Sequence, residues 1–103
     1  MTTHVANASE LWDDELFACR VGSDPVFVVK RGACVVAYGD RCPHLGVPLS
    51  EGMLDGDVLT CRAHHHTFDV TTGRGINPPD AQLDRFVARI DVDADAILVA
   101  ART

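Results

Sequence analysis

The chain has 103 residues, room for one modest core and no second globular unit. Its apolar fraction of 47% excludes a disordered chain, and no run approaches the 18 consecutive apolar residues of a membrane span. A formal net charge of −6, from 15 acidic and 9 basic residues, argues against nucleic acid or an anionic membrane as partner, because their phosphates would be repelled.

Met1-Thr2-Thr3-His4 lacks a basic segment followed by an apolar stretch, so no secretory leader is expected and the protein is read as cytoplasmic. Ser9 ahead of Glu10-Leu11-Trp12 suggests the cap of one short helical turn. Beyond it the pattern has period two with frequent turn residues, which predicts an all-β fold. Glu15 to Val21 reads as a strand, ended by the turn cluster Gly22-Ser23-Asp24-Pro25. Val26 to Lys30 and Cys34 to Tyr38 flank Arg31-Gly32-Ala33 as a hairpin. Cys19 shares a face with Phe17 and Val21, and both Cys19 and Cys34 are read as buried free thiols serving as small hydrophobes.

From Asp40 to about Pro79 the chain changes character. Glycines at 46, 52, 56, 73 and 75 and prolines at 43, 48, 78 and 79 break it into short pieces. Asp57 to Cys61 and Thr67 to Val70 look like brief strands, the second turning at Thr71-Thr72-Gly73. Alternation then returns, with Phe86, Ala88, Ile90 and Val92 on one face, and Asp93-Ala94-Asp95 turns the chain into a strand from Ile97 to Ala101. The expected organisation is a single domain over 1–103, a β framework at both ends carrying a loop-rich subdomain at about 40–79.

That subdomain holds two short cysteine–histidine pairs, Cys42-Pro43-His44 and Cys61-Arg62-Ala63-His64. Two thiolates and two imidazoles on two tight loops suit a [2Fe–2S] cluster held unequally, Cys42 and Cys61 on one iron and His44 and His64 on the other. Neutral imidazoles in place of two thiolates make the oxidised cluster less negative, so an electron is accepted more easily than in an all-cysteine ferredoxin. A structural zinc in a binding module is the rival for a Cys2His2 set. Against it, the C-x-H pair is shorter than the usual zinc-finger spacing and no helix follows the second pair. In the run His64-His65-His66 the spacing from Cys61 selects His64. His65 and His66 are read as exposed loop residues, the sharper idea being that one lines a docking surface and makes electron transfer pH-sensitive. Arg41, Arg62 and Arg74 lie in or beside these loops and together would meet carboxylates of a partner.

The stretch from Cys42-Pro43-His44-Leu45-Gly46 to Gly52, with Cys61-Arg62-Ala63-His64, closely resembles the Rieske ferredoxins. The resemblance implies their fold, antiparallel β-sheets with an inserted cluster-binding subdomain. It also implies one Rieske [2Fe–2S] cluster per chain, bound by Cys42, His44, Cys61 and His64. Respiratory-chain relatives carry an extra cysteine in each loop, where this chain has Val47 and Ala63, so that bridge is ruled out. They also carry a serine and a tyrosine whose hydroxyls raise the potential, where His66 and Phe68 stand here. A midpoint at the low end of the Rieske range, about −150 mV, is therefore expected.

Thr60-Cys61-Arg62-Ala63-His64, Thr67-Phe68, Thr72-Gly73 and Gly75-Ile76-Asn77-Pro78 further resemble the ferredoxins of toluene- and alkene-type soluble di-iron monooxygenases. His65-His66 departs from them, an apolar residue and an aromatic being more usual there. This implies a monomeric one-electron carrier, not itself an enzyme, between an NADH-dependent flavin/iron–sulfur reductase and a di-iron hydroxylase. Service to an aromatic-ring dioxygenase is the alternative. The central loops have few apolar residues of their own, so the apo form is expected to be loosened at 40–79.

Overall fold

The computed structural model describes residues 2–43, 46–63 and 66–101. Its elements are β1 (Thr2–Asn7), β2 (Phe17–Val21), β3 (Asp24–Arg31), β4 (Cys34–Gly39), β5 (Met53–Asp55), β6 (Val58–Thr60), β7 (Thr67–Asp69), β8 (Gly75–Asn77), β9 (Arg85–Phe86), β10 (Ala88–Asp91) and β11 (Ala96–Ala100). Two single 3-10 turns, Ala8–Glu10 and Leu49–Glu51, complete the described regular structure. The strands form three antiparallel sheets, ordered β1-β11-β10, β2-β3-β4-β9 and β5-β6-β7-β8. The all-β expectation holds, and no helix among the described residues is long and apolar enough to cross a membrane.

The middle sheet is apolar on both faces, and β3 shows why. Val26 and Val28 point into a core with Leu11, Val21, Ala37, Phe86, Ile97 and Val99, beneath the terminal sheet. Phe27 and Val29 point the other way, into a core with Tyr38, Leu49, Leu59, Phe68, Val70 and Leu83. A strand covered on both sides reads as a continuous apolar run, as Val26-Phe27-Val28-Val29 does. Each of these side chains contributes roughly 1.5–3 kcal/mol by leaving water.

The second core binds the loop-rich segment to the framework. Phe27 and Tyr38 are cross-strand partners with ring centroids 5.8 Å apart. Beneath them the buried Tyr38 hydroxyl donates to the Val70 carbonyl at 2.7 Å, crossing from the middle sheet to the end of β7.

Several local expectations are corrected. Cys34 is exposed and Cys19 only half-buried, because Arg31 pairs with Cys34 at the hairpin end, where nothing packs over the thiol. Asp24 and Pro25 belong to β3, since Val21 pairs with Asp24 and the turn needs only Gly22 and Ser23. Val92 is 84% exposed rather than part of the inward row, because β10 stops at Asp91. Ser9 lies inside the first 3-10 turn instead of capping it, and its hydroxyl bonds Asp95. The six-residue β1 and the three-residue β5 and β8 were not expected.

Candidate metal centre

Two loops of the same closure carry the cysteines. In the first, the Cys42 amide donates to the Val47 carbonyl at 2.8 Å and the Gly46 amide to the Cys42 carbonyl at 2.9 Å. The return requires a left-handed residue, supplied by Gly46 at φ +70°. In the second, the Cys61 amide donates to the His66 carbonyl at 2.8 Å, between the paired β6 and β7. Each cysteine thus opens a loop by bonding the carbonyl five residues on.

The ends of these loops are pinned. The Asp40 amide donates to Pro25 at 2.9 Å, tying the first loop to β3. The Asp40 carboxylate accepts from the Ser50 amide at 2.8 Å and the Ser50 hydroxyl at 2.7 Å, closing the loop across its base. Gly52 lies so close to β6 that a Cβ there would stand 2.2 Å from the Thr60 carbonyl oxygen. Across the outer side, Arg62 Nε and Glu51 Oε1 are 2.7 Å apart, joining the loops in an exposed ion pair.

Cys42 and Cys61 are both fully buried in the core shared with the middle sheet, and both are free. Their thiols face each other. Burial raises the proton affinity of Cys61, the Ala63 amide bonded to its sulfur lowers it, and the neighbouring Cys42 thiol raises it again. A bound metal reverses this balance by deprotonating such thiols, and the Ala63 N–H then stabilises the thiolate. The sulfur half of the expected donor set therefore fits an iron–sulfur group. His44 and His64, with Leu45 and His65, lie outside the described residues, and no third metal-binding side chain joins the two thiols among the described residues.

The remaining candidates are placed as follows. His66 is half-buried rather than an exposed loop residue, and its carbonyl closes the second loop. Arg41 and Arg74 are exposed, whereas Arg62 is engaged by Glu51. Val47 and Ala63 both pack against the shared core. Asp40 and Ser50 were missed by the sequence reading, and their only signal is an aspartate two residues ahead of the first cysteine. An open groove of about 430 Å3 flanks the first loop beside Asp24, Pro25, Arg41 and Pro43.

Three antiparallel sheets, with two matched cysteine loops meeting in the core they share, suit an iron–sulfur electron carrier. The model of the Rieske [2Fe-2S] domain matches residues 1–88, and the chain belongs to that family. It carries a Rieske [2Fe–2S] cluster and acts in electron transfer, not as a catalyst in itself. The ferredoxin component of the alkene monooxygenase system of Xanthobacter autotrophicus is 40% identical over 88 residues, covering 84% of this chain and 72% of that protein. The ferredoxin of carbazole 1,9a-dioxygenase from Nocardioides aromaticivorans superposes with a TM-score of 0.89 at 28% identity, covering 99% of both chains. A second solved structure, a complex of reduced oxygenase and oxidised ferredoxin in carbazole 1,9a-dioxygenase, gives a TM-score of 0.83 at 34% identity, covering 96% of this chain and 92% of that one.

Proposed function

We propose that this chain carries single electrons from an NADH-dependent flavin/iron–sulfur reductase to a di-iron hydroxylase that oxidises alkenes or aromatics. In this reading Cys42 and Cys61 hold one iron and His44 and His64 the other. The observation that carries it is the meeting of two free, buried thiols at the start of two loops closed by the same backbone bond. When bound, a Rieske cluster supplies one reversible electron-accepting site.

The chain's own residues do the rest. Cys42 and Cys61 anchor the inner end inside an apolar core, which keeps water from the sulfur. The Ala63 amide favours the thiolate of Cys61. The Asp40–Ser50 and Arg62–Glu51 contacts fix the loops, so little rearrangement accompanies each transfer. The protein acts as a cytoplasmic monomer with its cluster-bearing segment at about 40–79.

The 40% identity to an alkene monooxygenase ferredoxin favours the di-iron partner. The likeness to carbazole dioxygenase ferredoxins supports a second reading, service to an aromatic-ring dioxygenase. Electron paramagnetic resonance of the dithionite-reduced protein tests the site, and reconstitution with each oxygenase type separates the partners. A colourless protein carrying zinc, without acid-labile sulfide, refutes both.

A further inference from the structure

A charge stands directly behind the first sulfur loop. Among the described residues Asp40 is the one charged side chain that is buried, at 8% exposure. No described cation lies within ion-pair distance of it. Both of its oxygens are taken up by a single residue, Ser50, through the amide and the hydroxyl. The charge is felt beyond the loop: after burial, Asp40 is the second cause that lifts the Cys19 thiol to about 11. Only one residue separates Asp40 from Cys42, a step of at most about 7 Å along the chain.

We infer that Asp40 is a positioning residue whose fixed negative charge, pinned by Ser50, lowers the electron affinity of the group held at Cys42 and Cys61. The inference rests on the site reading above. On reduction one electron passes from the donor, which is oxidised, to the cluster, with no bond made or broken. The added charge is repelled by the carboxylate across an interior of low dielectric. With no described cation within ion-pair distance, the carboxylate is offset only by the two Ser50 donors, and most of its charge remains to act on the neighbouring loop.

The test is an anaerobic redox titration of the iron-loaded protein, comparing wild type with Asp40→Asn and Ser50→Ala. Asparagine keeps the shape and both contacts, its oxygen accepting from the Ser50 amide and its nitrogen donating to the Ser50 hydroxyl. The charge goes while the loop stays. At an effective dielectric of about 20 and a separation of about 10 Å, the ratio of reduced to oxidised protein at a fixed potential rises about sixteenfold, or about 72 mV for a one-electron couple. Ser50→Ala keeps the charge but removes one of its donors, so the ratio falls.

A merely structural role leaves Asp40→Asn unshifted, because both contacts remain, and moves Ser50→Ala alone, because one contact is lost. Hydrogen exchange supplies a readout apart from the cluster: the Ser50 amide stays as protected in Asp40→Asn as in wild type. A change of less than twofold in Asp40→Asn, or shifts of the same sign in both variants, overturns the inference. Should Asp40→Asn fail to load, Ser50→Ala decides alone, a fall supporting the inference and a rise or no change ending it. A wild type without iron and sulfide ends the site reading and this inference together, whereas a loaded wild type with unresponsive variants ends only the inference.

Discussion

Replacing Tyr38 by phenylalanine removes one oxygen from the seam between the middle sheet and the cluster-bearing segment. The ring remains, with its packing on Phe27, so the volume change is small. The bond lost is the 2.7 Å contact from the hydroxyl to the Val70 carbonyl, both buried. A buried acceptor left without its donor costs about 1–3 kcal/mol. For a domain of this size each kcal/mol lowers the melting temperature by about 4 °C, so a fall of about 4–12 °C is expected. The assay is thermal unfolding of holoprotein at matched iron content, followed by circular dichroism. A pH series adds a signed check. Burial raises the tyrosine above its ordinary value of 10.0, so its contribution is fully present below that pH. It is lost as pH rises further, because the unfolded tyrosine ionises while the folded one stays protonated. The gap between wild type and variant should therefore narrow above pH about 10. A variant melting within 1 °C of wild type at neutral pH would refute the claim that this bond holds the two parts together.

Cys34 should react readily with iodoacetamide at pH 8, being exposed, whereas Cys19, raised by burial and by Asp40 to about 11, should resist. At pH 8 a thiol so raised holds about a hundredfold less thiolate than an ordinary one, and peptide mapping showing equal labelling would contradict this. Gly52→Ala drives a Cβ into the Thr60 carbonyl beside Cys61, so a loss of about 1–3 kcal/mol and lower iron content are expected from melts and iron analysis. Arg62→Glu breaks an exposed pair and should change stability by less than about 1 kcal/mol, while slowing electron delivery to an oxygenase partner at low salt only. Stopped-flow rates unchanged at low ionic strength would show that Arg62 does not meet the partner. The midpoint should lie near −150 mV, since Phe68 is buried without a hydroxyl where higher-potential relatives carry one, and a redox titration well above zero would contradict it.

The parts of the fold legible in the sequence were those with a strong local signal. The hairpin of β3 and β4 announced itself through two β-rich runs around Arg31-Gly32-Ala33. β5 and β8 are no shorter than β6 and β7, but Met53-Leu54-Asp55 and Gly75-Ile76-Asn77 lack the β-branched and aromatic residues of Val58-Leu59-Thr60 and Thr67-Phe68-Asp69 apart from Ile76. They pair only as the outer strands of that sheet. Cys34 was misplaced because composition says that a free cysteine prefers the interior, while its depth depends on where the hairpin turns. Cys42 and Cys61 were legible because their spacing to histidine is itself chemical information. Asp40 and Ser50 were not, because a clasp ten residues wide exists only once the loop has closed.

The two-faced burial of β3 has a consequence for how the protein comes apart. Val28 and Val29 are neighbours in the chain, yet each belongs to a different apolar interior. Loosening the terminal sheet therefore disturbs the same backbone that anchors the metal-bearing half, and the chain should melt in one transition rather than shedding its distal sheet first. Stability engineered far from the irons would then lengthen their retention.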